Sequence, residues 1–395
     1  MAAAADGIVM VAYTYYPWDP RVRREAETLA RRGHSVTVVC CRDEGQGETE
    51  TVGGVRVRRV PLGIRRGSPL RYLFQYGLFL LLAAAVLWRS RPSGVHVHSV
   101  PDFLVFSAIR SRLRGVPLTL DLHEAMPEMV RARFPRSVVA ARLAFVAEKV
   151  SCRFAGRVIV VNETIRELVG TRSIPMERVT VLYNSPDVAA APSSAVPPPA
   201  NPQRLQLVFA GGVNPERDLE TLIRAVAELH PALPTSLEIY GPGDSHYLSY
   251  LEGLAAGLGI RDSVTYGGVL PGERVLPHLS RADVGVVTYA RSPLTEVALP
   301  NKVFEYVVLD KPLVLPDLRA MRRAFDEAAW FYEPGNARDL AAKIREAAFG
   351  GAERAAKRER ARRVYEGARW DVQAERLAAL YAPTRARVRG AAACT

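Results

Sequence analysis

The chain has 395 residues, 48% hydrophobic and 24% charged, which suffices for two domains that each bury a core without disulfide staples. Its formal net charge of +12 favours anionic partners such as nucleotides, phosphates and acidic lipid, but the arginines run along helical patterns with little aromatic interleaving, and no nucleic-acid-binding signature is present. The four cysteines form neither a CxxC pair nor a metal-ligand spacing, so Cys40, Cys41 and Cys152 are expected as reduced core residues and Cys394 as a tail thiol.

Met1 to Asp6 lacks the basic start and long apolar run of a secretory signal, which predicts a cytoplasmic placement. Strands are then predicted at Ile8–Tyr13, Ser35–Cys41, Val55–Pro61, Val95–Ser99, Leu118–Leu122, Val158–Val161 and Val179–Leu182. They are Val-, Ile- and Leu-rich without polar alternation, as expected of parallel strands covered on both faces. Helical patterns lie between them, such as Pro20–Arg32, stopped by Gly33. Tyr72–Trp88 is apolar apart from Gln75 and flanked by Arg71 and Arg89. It is slightly short for a span, and the α/β pattern resumes on both sides, so the main expectation is a buried helix. A helix that also touches a membrane surface stays open.

The alternation stops at 187–203, a Pro- and Ala-rich stretch predicted to be an interdomain linker. It resumes with strands at Leu205–Ala210, Leu237–Tyr240, Val264–Tyr266, Val284–Thr288 and Leu313–Leu315. Helices are predicted at Glu216–Leu229, Tyr247–Gly257, Pro271–Ser280, Asn301–Leu309, Ala337–Ala348 and Trp370–Tyr381. The fold class is therefore α/β, with two doubly wound Rossmann-like domains expected to face each other across a cleft. The predicted boundaries are an N-terminal domain over 1–186, the linker, a C-terminal domain over 204–366, and a tail over 367–395 whose helix packs back on the first domain.

Four stretches carry candidate chemistry. In Leu299-Pro-Asn-Lys-Val-Phe-Glu-Tyr a proline opens a helix whose first N–H groups can receive phosphate. Lys302 adds a positive charge there, and Glu305, a turn further in, can accept hydrogen bonds from a ribose diol. The same pattern also suits an ordinary helix start with both charges in solvent. In Phe209-Ala-Gly-Gly-Val-Asn-Pro-Glu-Arg, Gly211 and Gly212 let backbone approach a pyrophosphate that Arg217 can clamp; a tight turn with a surface arginine is the alternative. Asp121-Leu-His-Glu places His123 at the end of a strand, with Glu124 and Glu128 nearby; His123 either meets a sugar hydroxyl or bonds to backbone. In the loop after the first strand, Tyr16, Trp18, Asp19 and Arg21 either shape an acceptor site or pack against the next helix with Asp19 as its cap.

In this order and at these distances, DPRVRREAETLARRGHSVTVV, DLHE, VLYNSPD, the Gly-Gly loop with Arg217, LEIYGPG, VTYGGV, ADVGVV and LPNKVFEYVVLDKPLV resemble the retaining GT-B glycosyltransferases of family 4, the glycosyltransferase 1/4-like group, over almost the whole chain. The resemblance implies that Arg217 and Lys302 hold the donor diphosphate, Glu305 binds the ribose hydroxyls and His123 faces the transferred sugar. It places Asn184 beside the cleft, and Tyr240, Gly241, Gly268 and Val269 around the base. Two departures stand out. Relatives often carry two glutamates with seven residues between them, whereas Glu296 and Glu305 have eight between them and Val297 takes the seven-spaced position, so Glu296 is a doubtful sugar contact. Where many relatives have Gly-Gly in the first loop, this chain has Trp18-Asp19-Pro20.

The resemblance implies a hexosyltransferase that acts with retention on a UDP- or GDP-sugar co-substrate, without a cofactor or metal. The acceptor is a small metabolite or a lipid or envelope glycan, with contact to a membrane surface in the latter case and none to nucleic acid. A nucleotide-sugar epimerase on the same fold and a non-catalytic nucleotide- or glycan-binding module are the rival readings. An NAD oxidoreductase is disfavoured because no GxGxxG follows either first strand.

Overall fold

The computed structural model describes residues 7–65, 67–186 and 203–381. Most of the predicted linker, 187–202, and Cys394 therefore lie outside the described residues. The chain separates into two compact units. One comprises Met1–Val97, Ser107–Leu118 and Asp371–Thr395, the other His98–Phe106 and Thr119–Trp370.

In the first unit the strands are β1 (Ile8–Tyr15), β2 (Val36–Cys41), β3 (Thr49–Val52), β4 (Val55–Val60) and β5 (Gly94–His98), in the order β3-β4-β2-β1-β5. All neighbours are parallel except β3 and β4, which form a hairpin about Gly53 and Gly54. Strand β3 reads Thr-Glu-Thr-Val and is largely exposed, so it carries none of the apolar signal that marks the central strands. Met10, Val11, Val38, Val39, Cys40 and Cys41 are fully buried, and the free thiols of the last two sit in this core. At the C-terminal end of the chain, Tyr381 stacks on His96 with ring centroids 6.0 Å apart and shares a 2.9 Å hydrogen bond with its Nδ1.

The apolar stretch in this unit forms the helix Pro69–Arg89, and it is not a buried helix. Gln75, Phe79, Ala83 and Leu87, spaced by four, face inward, while Leu70, Leu73, Phe74, Leu81 and Trp88 are 58–78% exposed. The helix qualifies as a membrane span by length and hydropathy, with 22% of the apolar window buried. A span is nevertheless incompatible with the topology, because β4 precedes the helix, β5 follows it, and both belong to the same row β4-β2-β1-β5.

The second unit holds β6 (Leu118–Leu122), β7 (Gly156–Val160) and β8 (Val179–Val181), then β9 (Leu205–Ala210), β10 (Thr235–Tyr240) and β11 (Val264–Tyr266) in the parallel order β11-β10-β9. Strands β12 (Gly285–Val286), β13 (Leu313–Pro316) and β14 (Trp330–Tyr332) follow as a second parallel set. Helix Leu219–Leu229 packs on this framework through Leu219, Leu222, Ile223, Val226 and Leu229, all buried. Each such side chain contributes about 1.5–3 kcal/mol of hydrophobic stabilisation. The helix begins three residues later than predicted. Asn214 caps a short turn over Pro215–Arg217, and Asp218, in a left-handed conformation, caps the helix itself.

Candidate active site

Three features of the second unit converge on one cavity of about 390 Å³. Its wall contains His123 and Glu124 after β6, Gly211, Gly212, Glu216 and Arg217 after β9, and Asn301, Lys302 and Glu305 on helix Asn301–Val308. Parallel strands place their C-terminal loops at one edge of a sheet, which is where open α/β folds bind ligands.

Lys302 is held by what surrounds it. Tyr306 on its helix donates a 2.7 Å hydrogen bond to the Val208 carbonyl of β9, while Val303, Phe304 and Val307 fill the core beneath. A side chain at Gly211 would come within 2.6 Å of Lys302 Cε, so the glycine vacates the volume through which the lysine passes. Gly241, at φ +135°, in turn lies so close that its Cβ would sit 1.9 Å from the Gly211 carbonyl oxygen. Backbone bonds then link the loops in series, from Gly211 N to Tyr240 O and from Gly241 N to Gly268 O, each 2.8 Å. Burial pulls the Lys302 ammonium below its ordinary value; Glu305, 3.9 Å away, opposes this and Arg217 adds to it. Oε2 of Glu305 is buried and accepts no hydrogen bond among the described residues. An acceptor in that state is open to a donor from a ligand.

Arg217 lies over the Tyr289 ring at 4.5 Å, and its carbonyl accepts a 2.6 Å bond from Thr288. Burial lowers its pKa against the pull of Glu216 and Glu124. Neither Thr288 nor Tyr289 was singled out from the sequence, where Val284–Thr288 reads simply as an apolar strand.

His123 is fixed by three further residues. Its Nε2 lies 3.0 Å from His98 Nδ1 and 3.3 Å from Asp121 Oδ2, and its backbone N donates to Ser99 Oγ at 3.1 Å. His98 Nδ1 is also 3.2 Å from the same aspartate oxygen. With Nε2 engaged by this buried pair, Nδ1 is the nitrogen left for a ligand. Asp121 belongs to the DLHE motif, yet nothing in its spacing shows that it anchors the histidine. The Glu124 carboxyl is raised above the ordinary range, first by the desolvating cavity wall and then by Glu216, with His123 and Arg217 pulling it back.

Other predicted positions lie elsewhere. Glu128 is buried and paired with Arg172 at 2.6 Å, a structural contact outside the cavity wall. Glu296 does not line the cavity: its carboxylate pairs with Arg291 and accepts the Arg319 N–H at 2.9 Å, while Val297 forms part of the wall. Tyr240 donates to Glu238 at 2.7 Å and meets His278 edge-on, and Val269 is 66% exposed. Tyr240, Gly241 and Gly268 bond to these loops and Val269 follows them, but none of the four, nor Asn184, is among the wall residues. In the first unit, Tyr16 is fully buried, and Arg21 is buried and paired with Glu25 at 3.1 Å. Asp19 caps helix Pro20–Arg31 by accepting the N–H groups of Arg21 and Val22, and Trp18 alone of the four is exposed.

Comparison with known proteins decides the family. Residues 19–185 match the glycosyl transferase 4-like domain and residues 204–348 match the glycosyl transferases group 1. The chain belongs to the glycosyltransferase 4/group 1 family. This glycosyltransferase is 24% identical over 289 residues to an uncharacterized glycosyltransferase of Methanocaldococcus jannaschii, covering 69% of this chain and 71% of that one. Its fold is that of sucrose-phosphate synthase from Thermosynechococcus elongatus, at a TM-score of 0.75 and 17% identity over 95% of this chain and 98% of the other. HepE of Anabaena, solved in complex with UDP-glucose, is similar at a TM-score of 0.68 and 15% identity over 95% and 99%. The glycosyltransferase thus has the GT-B architecture of two Rossmann-like domains.

Proposed function

We propose that this glycosyltransferase moves a hexose-type sugar from a UDP- or GDP-sugar to a small metabolite or a lipid or envelope glycan, with retention at the anomeric carbon and without a metal. The observation that carries the reading is the convergence on one cavity of Arg217, Lys302 and Glu305, whose buried Oε2 accepts no hydrogen bond among the described residues. Two cations beside a helix start suit a diphosphate, and a buried carboxylate oxygen a turn away suits a ribose diol. The UDP-glucose complex of HepE, a protein of similar fold, supports a nucleotide sugar as donor.

Retention by double displacement needs an ionised carboxylate nucleophile at the sugar. Glu124 is the carboxylate beside His123, and the reading assigns no nucleophile among the wall residues, so it follows a front-face path instead. The C–O bond to the diphosphate then breaks as the acceptor hydroxyl approaches from the same side. The departing diphosphate takes the hydroxyl proton. Arg217 and Lys302 stabilise the negative charge that develops on it, the task a divalent cation performs elsewhere. Held by His98 and Asp121, His123 presents one nitrogen toward the sugar. Unpaired buried thiols suit a reducing cytoplasm.

Thermal denaturation tests the donor half, because a ligand that binds only the folded state raises its stability. UDP or GDP at saturation is expected to raise Tm by several degrees, and the Arg217→Ala variant to lose most of that rise. No shift with any nucleoside diphosphate sinks the reading. Incubation with donor sugars then separates the rivals: slow hydrolysis or transfer supports a transferase, interconversion of donors an epimerase, and binding without turnover a module.

A further inference from the structure

The outer face of helix Pro69–Arg89 carries an apolar stripe that the proposed chemistry does not use. Leu70, Leu73, Phe74, Leu81 and Trp88 fall within one side of the helical wheel and are each more than half exposed. From Leu70 to Trp88 the stripe runs about 27 Å. Isolated exposed leucines are common on soluble proteins, but several large apolar side chains exposed along one side of a helix mark an interaction surface. Near its end the short helix Ile109–Leu113 adds Ile109 and Leu113, 48% and 82% exposed, and Arg110 lies over the Trp88 ring at 4.5 Å.

Charge identifies the occupant. Between Thr51 and Leu120 the chain has eleven arginines and a single acidic residue, Asp102, which is 2% exposed. Arg65, Arg89, Arg112 and Arg114 flank the stripe and are exposed. Arg65 is held at the helix's N-terminal end by Gln75, whose side chain bonds its backbone N–H and carbonyl at 2.8 and 2.9 Å. An apolar protein partner would account for the stripe alone. Leucine, phenylalanine and tryptophan ringed by arginine, with no exposed acid in the segment, match the acyl and phosphate layers of an anionic bilayer.

We propose that this face docks the enzyme on an anionic membrane surface, with helix Pro69–Arg89 lying in the interface plane and not across it. The inference deepens the lipid-acceptor branch of the function proposed above, but its test reads binding and not transfer. The full chain is floated with phosphatidylcholine vesicles and with vesicles in which about a third of the lipid is phosphatidylglycerol. Binding is expected to the anionic vesicles, weakly to the neutral ones, and to fall with added salt.

The double variant Leu73→Glu, Phe74→Glu should bind at least about tenfold more weakly. Charge reversal at Arg112 or Arg114 should weaken binding by at least about fivefold each. Both positions of the double variant are 60–70% exposed, so the fold should survive, as shown by an unchanged circular dichroism spectrum and an unchanged UDP-induced thermal shift. If the double variant misfolds, the arginine variants carry the test. Failure of the wild type to float with anionic vesicles overturns the proposal, as does equal flotation of the variants. A concentration-dependent dimer that Leu73→Glu dissolves, with no vesicle binding, also overturns it and assigns the face to a second copy. Loss of the UDP shift in the wild type would instead count against the donor reading.

Discussion

Two loops occupy equivalent places in the chain, one following β1 and one following β9, each joining a buried parallel strand to a helix. After β1 the charged groups are engaged within their own unit, since Asp19 caps the helix and Arg21 pairs with Glu25, while the Tyr16 hydroxyl is buried without a hydrogen bond among the described residues. After β9 the loop is built from Gly211 and Gly212, and its charges end at a cavity. Lys302 is largely buried, 3.9 Å from the Glu305 carboxylate, and Glu305 keeps an oxygen without a donor among the described residues. The first loop has the residue types of a site, but its charges are paired within the fold. Beside the second, a buried carboxylate oxygen without a donor lies at a cavity, which is where a ligand contributes most.

The largest expected effect removes the charge that lies beside the second loop. Lys302→Ala should lower turnover by about 100-fold or more, since removal of one preorganised charge-stabilising group commonly has that effect. A steady-state assay giving near-normal turnover would refute the role. Next is Gly241→Ala, which forces a methyl against the Gly211 carbonyl at a backbone angle that side chains rarely adopt. It should cost about 1–3 kcal/mol of stability and abolish the nucleotide-induced thermal shift, as read by denaturation with and without UDP.

A third buried charge lies in neither loop and sharpens the contrast. Asp102 is pushed up to about 8, chiefly by burial and then by Glu148, and neither of its oxygens has a hydrogen bond among the described residues. Its folded pKa exceeds its unfolded one, so its contribution is fully present below about pH 4 and is lost as pH rises to about 8. Over that window the wild type should lose up to about 1.4 kcal/mol per pH unit from this group. Chemical denaturation of Asp102→Asn should show a flatter pH profile and higher stability near neutrality. Identical profiles would mean that the aspartate is not held neutral. The smallest effect belongs to the first loop. Asp19→Ala should cost about 1 kcal/mol through the lost helix cap and leave the nucleotide-induced shift unchanged.

Much of this was legible in the sequence. Central strands such as Ile8–Tyr15 and Leu205–Ala210 are buried on both faces and therefore read as plain apolar runs. Strand β3 was missed because an edge strand facing water needs no apolar residue. Most of the cavity's charged residues were found because glycines and cations cluster at strand ends, but Glu216 was not. Tyr289, His98 and Asp121 were not, since their roles depend on which strands lie side by side. Helix Pro69–Arg89 misled for the opposite reason. Hydropathy measures how apolar a helix is all round, and it carries no mark of which face the sheet leaves uncovered.

Trp88 gives that uncovered face an optical label. Two of the other three tryptophans, Trp330 and Trp370, are buried, while Trp18, on the loop after β1, is 71% exposed. In a Trp18→Phe background, almost all of the emission from a water-exposed indole arises at Trp88. Transfer of that indole out of water shifts its fluorescence to shorter wavelength, so the native protein can report its own depth without an attached dye.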